Sequence, residues 1–359
     1  MRILFITRKY PPSTGGMENA AYELYQALRK DNEVALVEYG GSNKWLPIVY
    51  IGLLVRALSS GLLRRPDVIY LQDGIMAPLG WIVKAVLRRP TVMTIHGLEA
   101  TYQNPVYKVM VTPFIRRATR LVAVSNETKQ KVEESLPGTQ PAVVFNGLSD
   151  NFYDPKSKAE HLELIARETG LDRTVLEQHK LVHTNGRLVK RKGVEWFVAN
   201  VMPKLPADTL YLVSGKGKDQ ERIEAAIAAA GLTDRVRLLG RVSDALLHAL
   251  YNTVDMFVMP NIPVPGDLEG FGLVALEAAS CGANVAAAKL EGIQDAIIDG
   301  KNGHLVAPQD AEQWAQVLTR ELRGRSLSAE QVRNFTLDTY SWSRTAEGYE
   351  RIMQDVIKK

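Results

Sequence analysis

Strand-like and helix-like segments alternate along most of this chain, and that alternation restricts its fold more than any other feature. Short runs rich in β-branched residues occur in the first half at 3–7, 33–38, 68–71, 91–95, 120–124 and 142–145. The intervening stretches have the apolar spacing of amphipathic helices, at 17–30, 46–63, 78–88, 105–118 and 126–135. Strands that alternate with helices predict an α/β fold with a parallel, doubly wound sheet.

The alternation restarts after residues 151–180, a polar and charged stretch that we interpret as a link between domains. Strand-like runs then recur at 181–185, 209–213, 236–239, 255–259 and 284–288. A chain of 359 residues is long enough for two domains of ordinary size. We predict an N-terminal domain over 1–165, a C-terminal domain of the same architecture over 166–335, and a C-terminal helix over 336–359.

Composition limits the class of partner. The chain has 44 Lys and Arg against 40 Asp and Glu, and a net charge of +4 does not indicate nucleic acid binding. Its single cysteine, Cys281, excludes an intramolecular disulfide and a cysteine-cluster metal site. The N-terminus begins with a strand-like run and has no signal peptide pattern, so we expect a cytoplasmic protein.

One apolar stretch leaves two interpretations open. Residues 45–55 are apolar but are interrupted by Arg56, well short of the about 20 residues that a transmembrane helix needs. Basic residues follow at 64–65, 88–89 and 116–120. Apolar residues with basic neighbours suit an anionic membrane surface, and they equally suit a core-facing helix with a solvated basic face.

The loops that follow strands are the expected place for a ligand, because doubly wound sheets bind ligands at the carboxyl ends of their strands. Gly15 and Gly16 follow the first strand-like run, where they would let main-chain amides approach a phosphate, although a plain turn also explains them. His96 directly follows the run 91–95, which predicts a histidine that faces a ligand.

Basic residues crowd one of these loops. Arg187 and the run Lys190 to Lys192 follow the strand-like run 181–185, where ordinary surface charge would be mixed in sign. Arginine grips phosphate oxygens with two parallel hydrogen bonds, and lysine adds a mobile point charge. We therefore predict phosphate binding at this loop.

The stretch 267–282 combines two acids with a glycine-rich turn that opens into a short apolar helix. The first amides of a helix have no intrahelical partner and suit an anion, which here would be bound by Phe271, Gly272 and Leu273. Glu269 precedes this anion site, and Glu277 lies further along among apolar residues. A buried carboxylate needs partners. Hydroxyls of a sugar or ribose could supply them, and so could a nearby Arg or Lys.

In this order and spacing, the motifs resemble the retaining glycosyltransferases of family 4, which have the GT-B fold. The resemblance extends over essentially the whole chain, and its most specific part is the Glu-x7-Glu element of Glu269 and Glu277. The remaining parts are Gly15-Gly16, His96-Gly97, Ser125, Asn146-Gly147, Gly186-Arg187, Lys190 to Gly193 and Gly215-Lys216-Gly217. One departure is Asp150, which follows Leu148 and Ser149 where many relatives have a hydrophobic residue and then Asp.

The resemblance implies two Rossmann-like domains that face each other across a cleft, with the C-terminal helix crossing back to the N-terminal domain. A UDP- or GDP-sugar would bind mainly to the C-terminal domain, with Glu277 on the ribose and Glu269 on the donor sugar. The groups that would neutralise the diphosphate are Arg187, Lys192 and the amides of Gly16, Phe271, Gly272 and Leu273, with Gly15 beside them. The base would lie near Gly215, Arg241 and Val242, and His96 would lie beside the anomeric carbon.

These implications predict a retaining transferase that moves a hexose-type sugar to a hydroxyl of a lipid-linked or cell-surface glycan. We expect no cofactor and no metal, because Arg187 and Lys192 would carry the charge and no Asp-x-Asp stands at the expected place. In the mechanism usually given for the family, the acceptor hydroxyl attacks the sugar on the same face from which the phosphate leaves. Two other functions compete: a cytoplasmic sugar- or nucleotide-binding protein without transfer activity, and a phosphorylase, which would need a much longer chain.

Overall fold

The computed structural model describes residues 1–13, 15–41, 46–97, 99, 102, 104–149 and 151–358. The chain forms two compact units. One consists of Met1–Gly147 with Tyr340–Lys359, and the other of Leu148–Thr339. Each unit contains a parallel six-stranded sheet.

The sheet of the N-terminal unit has the order β2-β1-β3-β4-β5-β6. Its strands are β1 (Arg2–Thr7), β2 (Glu33–Glu38), β3 (Val68–Leu71), β4 (Thr91–Ile95), β5 (Arg120–Ala123) and β6 (Ala142–Val143). Every residue of β3 and β4 is buried, as expected for parallel strands covered on both faces. The helices that accompany it are α1 (Gly16–Leu28), α2 (Leu46–Arg64), α3 (Ala77–Leu87), α4 (Pro105–Met110), α5 (Thr112–Ile115) and α6 (Asn126–Ser135).

The sheet of the C-terminal unit has the order β12-β11-β10-β7-β8-β9. Its strands are β7 (Lys180–Asn185), β8 (Thr209–Ser214), β9 (Val236–Gly240), β10 (Met256–Met259), β11 (Val285–Ala288) and β12 (His304–Val306). Its helices include α7 (Lys158–Thr169), α8 (Arg173–Gln178), α9 (Val194–Asn200), α10 (Gln220–Ala229), α11 (Asp244–Thr253), α12 (Leu273–Ser280), α13 (Ile293–Ala296) and α14 (Ala311–Arg323). Two parallel sheets with flanking helices confirm the predicted α/β class.

The stretch interpreted as a link is folded into the C-terminal unit, so the first boundary lies after Gly147 and not after residue 165. Ser157 and Glu160 form a capping box that starts α7. Helix α7 then buries Leu162 and Ile165 in one cluster with residues of α11. The polar exterior of the segment conceals this apolar stripe, which is why its composition resembles that of a linker.

The end of the chain divides into two helices, α15 (Ala329–Tyr340) and α16 (Trp342–Ile357), with Ser341 as the N-cap of α16. Helix α16 belongs to the N-terminal unit, where Tyr349 and Met353 share a buried cluster with Phe5 of β1. The hydroxyls of Tyr349 and Thr94 lie 2.8 Å apart. The last helix thus completes the core of the unit in which the chain began.

Within the described ranges, none of the helices combines the length and the apolar character that a membrane-spanning segment requires.

The packing of α16 predicts a strong asymmetry between two methionines. Met353 is fully buried, whereas Met110 is 60% exposed. We expect Met353→Ala to destabilise the N-terminal unit by about 2–5 kcal/mol, because the substitution leaves a cavity. The matched variant Met110→Ala should change stability by less than about 0.5 kcal/mol. Urea denaturation followed by circular dichroism checks this, and equal midpoints for the two variants would contradict the packing of α16.

Candidate functional site

The strand-end loops of the C-terminal unit touch one another through their backbones. Gly215, after β8, has φ +123°, and a β-carbon there would lie 1.8 Å from the carbonyl oxygen of Gly186, after β7. Gly186 N donates to Ser214 O at 3.1 Å, and Gly215 N donates to Gly240 O at 2.7 Å. The ends of β7, β8 and β9 therefore form one continuous edge, and no side chain fits between the first two loops.

An ion-pair network stands at this edge around the carboxylate of Glu269. Lys192 Nζ donates to Glu269 Oε2 at 2.6 Å, and Asn261 Nδ2 donates to the same oxygen at 3.1 Å. Arg191 also donates to that oxygen, while its Nε donates to Asp267 Oδ1 at 3.1 Å. The side chains of Lys192 and Glu269 are each only 13% exposed. The basic cluster and the first acid of the Glu-x7-Glu element are thus direct partners.

The charges of this network decide the protonation of Glu269. Burial opposes its ionisation, but the nearby charges of Lys192 and Arg191 outweigh burial and lower the pKa of Glu269 to about 2. Burial also lowers the pKa of Lys192, and the charges of Arg191 and Arg187 act in the same direction. Glu269 is therefore a carboxylate at neutral pH, and Arg187, whose side chain is exposed, adds charge close to the network.

The backbone of Glu269 is held from a third loop, which follows β11. Glu269 N donates to Glu291 Oε2 at 2.5 Å, and Gly292 N donates to Glu269 O at 3.2 Å. A β-carbon on Gly292 would lie 2.1 Å from the carbonyl oxygen of Gly270. Loops from β7, β10 and β11 thus meet at this one residue.

Helix α12 begins directly after the network. Gly272 is its N-cap with φ +89°, a left-handed conformation that glycine adopts without strain, and no side chain of the described residues caps the helix there. The N-terminal end of α12 carries the positive end of the helix dipole. This geometry suits an anion at the amides of Gly272 and Leu273.

The second acid, Glu277, is paired with a tyrosine and not with the Arg or Lys that often accompanies a buried carboxylate. Tyr251 of α11 donates its hydroxyl proton to Glu277 Oε2 at 2.8 Å. Burial raises the pKa of Glu277. Among the described residues, every hydrogen bond to this carboxylate is made on Oε2, which leaves Oε1 for a ligand.

The residues expected near a base also lie at the strand ends of the C-terminal unit. Arg241 is exposed and Val242 is half-buried, both just after β9. They line a surface pocket of about 240 Å³ with the side chain of Arg237 and the end of α7. Gly215 lies at the end of the neighbouring strand β8.

The remaining predicted residues belong to the N-terminal unit. Gly15 and Gly16 begin α1 after β1, and His96 follows β4, so all three stand at the carboxyl edge of that sheet. His96 Nε2 lies 2.9 Å from the carbonyl oxygen of Gln72, and His96 N donates to Glu99 Oε2 at 3.1 Å. Since a carbonyl only accepts, Nε2 carries a proton in this contact, and Nδ1 is the ring nitrogen left for a ligand.

Several partners in the site were not singled out from the sequence. Asn261 and Glu291 follow β10 and β11, so the strand-end rule could have found them. Tyr251 lies inside a helix, where no local pattern marks it. Asp150 and Trp45 lie outside the described residues. Among the residues that are described, no three His, Cys, Asp or Glu side chains come together as a metal site.

Comparisons with known proteins identify the family of the chain. The sequence profile "Glycosyltransferase Family 4" matches residues 14–152, and the profile "Glycosyl transferases group 1" matches residues 179–323. An uncharacterized glycosyltransferase of Methanocaldococcus jannaschii is 26% identical over 97% of this chain and 96% of its own length. The phosphatidyl-myo-inositol mannosyltransferase of Mycobacterium leprae is also 26% identical, over 95% of this chain and 93% of its own length.

The fold is shared with a solved structure. Anabaena HepE in complex with UDP and glucose superposes with a TM-score of 0.77 at 19% identity, over 99% of this chain and 100% of that one. The likeness at this identity confirms the GT-B architecture of two parallel sheets. Together the two profiles extend over both units, and the chain belongs to the group 1 glycosyltransferases of family 4.

Proposed function

We propose that the chain is a retaining, metal-independent glycosyltransferase. It moves a hexose-type sugar from a UDP- or GDP-sugar to a hydroxyl of a lipid-linked or cell-surface glycan. The observation that carries the proposal is the placement of Glu269, held by Lys192 and Arg191, directly before the uncapped start of α12. Glu277 lies within α12. One short segment, from Glu269 to Glu277, would therefore contact both the donor sugar and the ribose.

The leaving diphosphate gains negative charge as the sugar departs, and the groups proposed to receive it are cations and amides. Arg191 is engaged with two carboxylates, whereas Arg187 is exposed. Lys192 has three ammonium protons, of which Glu269 takes one. Arg187, Lys192 and the first amides of α12 would stabilise the diphosphate, because preorganised charges act where the transition state develops charge.

Glu269 is proposed to hold hydroxyls of the donor sugar. All of its described partners donate to Oε2, so Oε1 is left to accept from the sugar. A carboxylate with a pKa of about 2 is a weak base and a weak nucleophile. This argues against a covalent sugar on Glu269 and supports attack by the acceptor on the face that the phosphate leaves. His96, whose ring nitrogen Nδ1 is left for a ligand, would lie beside the sugar.

The relatives support a nucleotide-sugar donor. Anabaena HepE has been solved with UDP and with UDP-glucose, and the Mycobacterium leprae relative is a mannosyltransferase that acts on phosphatidyl-myo-inositol by its name. The competing function, a sugar- or nucleotide-binding protein without transfer activity, has the same fold. The cations Arg187, Arg191 and Lys192 argue against a protein that binds only a neutral sugar, because such a ligand needs no cluster of cations.

Nucleotide binding separates these functions from a protein that binds only sugar. We expect UDP or GDP to raise the thermal unfolding temperature, since a ligand that binds the folded state stabilises it. One member of a donor panel of UDP-glucose, UDP-N-acetylglucosamine, UDP-galactose and GDP-mannose should release its nucleoside diphosphate when acceptor is present. No stabilisation by UDP, GDP or ADP would contradict a transferase, and binding without turnover would favour the binding protein.

The two acids should differ in the step that they affect. Glu277→Ala should weaken binding of the nucleoside diphosphate by about ten-fold or more, because it removes a charged hydrogen-bond acceptor. Glu269→Ala should weaken binding of the free nucleotide less than Glu277→Ala does. Its main effect should be a lower turnover of the sugar donor. Calorimetric titration with UDP or GDP, together with initial rates, measures both. Normal binding and turnover in both variants would refute the assigned roles.

Helices α2, α3, α4 and α5 of the N-terminal unit expose apolar side chains beside basic residues, and we call this the α2–α5 surface. Its outward aliphatic side chains are Ile48, Ile51, Val55, Leu62, Leu63, Val86, Val106, Val109 and Met110, of which Leu63 is 83% exposed. The segments 46–66, 77–90 and 104–120 that form it contain no Asp or Glu. Their basic residues include Arg64, Arg65, Arg88, Arg89, Arg116 and Arg117.

Helix α2 shows features of both interpretations of the apolar stretch, a core-facing helix and a helix on a membrane surface. Helix α2 buries Leu53 and Ala57 in the core and exposes Ile51 and Leu62 on its other side. Aliphatic side chains flanked by cations suit the boundary of an anionic bilayer. We propose that the α2–α5 surface rests on the cytoplasmic face of the plasma membrane, where a lipid-linked acceptor would be found.

Vesicle pelleting checks the membrane proposal. The chain should sediment with vesicles that contain phosphatidylglycerol at low salt, and less with purely zwitterionic vesicles. The double variant Leu62→Gln with Leu63→Gln should reduce sedimentation several-fold. As a control, Ile298→Gln with Ile357→Gln changes two isoleucines elsewhere that are 37% and 38% exposed, and it should have no effect. Equal sedimentation of the two double variants would contradict the proposal.

A further inference from the structure

A continuous chain of hydrogen bonds runs from Glu277 into the sheet of the C-terminal unit. Tyr251 donates to Glu277 Oε2 at 2.8 Å, and Asn185 Nδ2 donates to the hydroxyl oxygen of Tyr251 at 3.1 Å. Ser214 Oγ donates to Asn185 Oδ1 at 2.9 Å and lies 2.9 Å from His183 Nε2. The five side chains come from helices α11 and α12 and from strands β7 and β8.

All of these bonds point in one direction. The hydroxyl of Ser214 faces two carbonyl oxygens that can only accept, Asn185 Oδ1 at 2.9 Å and Thr184 O at 3.3 Å. With the Ser214 proton directed at these oxygens, His183 Nε2 supplies the proton between His183 and Ser214. Burial lowers the pKa of His183 to about 3, which keeps its ring neutral. Each member therefore donates toward the next, and the last donor, Tyr251, faces the carboxylate. Aligned bonds of this kind polarise and strengthen one another in a buried environment.

The position and the protonation state of the Tyr251 hydroxyl are both fixed by its surroundings. Its side chain is 1% exposed, and it packs against the rings of Phe257 and His183 with centroids 5.6 and 5.8 Å away. Burial, with the neighbouring charge of Glu277, raises its pKa well above the usual range, so its hydroxyl keeps its proton. The carboxylate is consequently fixed through Oε2 by a rigid donor, and none of the described residues makes a hydrogen bond to Oε1.

We propose that Tyr251, oriented by Asn185, is a positioning residue that sets the Glu277 carboxylate for the ribose hydroxyls of the nucleotide. The inference rests on the proposed function, in which Glu277 binds ribose. Its consequence is a preference for ribonucleotides over deoxyribonucleotides that depends on a residue with no contact to the ligand. A tyrosine that served only the packing of the core would support stability and would not alter that preference.

The experiment compares UDP or GDP, whichever binds more tightly, with its 2′-deoxy and 3′-deoxy analogues by isothermal titration calorimetry. We expect the unmodified chain to prefer the ribonucleotide by about ten-fold. Tyr251→Phe should lose most of that preference. We expect the variant to bind the ribonucleotide more weakly and to bind the deoxy analogues with nearly unchanged affinity. Asn185→Ser should shift the preference in the same direction by a smaller factor.

Two controls separate positioning from packing. Tyr211→Phe removes the hydroxyl of another buried tyrosine of the same unit outside the chain of bonds, and it should preserve the preference. In a Glu277→Ala background, Tyr251→Phe should produce no further loss. A folded Tyr251→Phe variant with an unchanged preference would overturn the inference, and if that variant does not fold, Asn185→Ser decides by the same criterion. An unmodified chain that binds neither UDP nor GDP would instead refute the proposed function, and this inference with it.

Discussion

The ion pairs of Glu269 are the interaction on which the rest of the site depends. Removing a carboxylate from water costs several kcal/mol unless partners offset the loss, and here two cations and an amide converge on one oxygen. The network joins the loop after β7, which supplies Arg191 and Lys192, to the loop after β10, which supplies Asn261 and Glu269. It thereby fixes the entry into α12 and the direction in which that helix presents its amides.

The two acids of the Glu-x7-Glu element are held in opposite ways. Charge lowers the pKa of Glu269 to about 2, whereas burial raises the pKa of Glu277. A carboxylate tied to cations suits the sugar, next to the developing charge of the departing diphosphate. A carboxylate held by the neutral hydroxyl of Tyr251 suits the two neutral hydroxyls of ribose. In the proposed function the same residue type would thus serve two tasks, because its partners differ.

Much of the fold and part of the site could be predicted from the sequence. Eleven strands of the two sheets follow from local apolar runs, whereas the three-residue strand β12 is too short to show such a run. The strand-end rule places His96, Arg187, Lys192 and Glu269 after strands, at the sheet edges. The pairing between Lys192 and Glu269 could not be derived, because the two residues are 77 positions apart and meet only through the order of the strands. The composition of helix α7 is that of a linker, and the partner that buries its short apolar stripe, α11, is distant in sequence.

The central claim is that the start of α12, together with Glu277, forms the binding site for a nucleoside diphosphate. A crystal structure of the chain with UDP or GDP tests this directly. We predict a phosphate at the amides of Gly272 and Leu273, with Lys192 or Arg187 on its oxygens and a ribose hydroxyl on Glu277 Oε1. A nucleotide bound elsewhere in the C-terminal unit, with Oε1 facing only water, would contradict it.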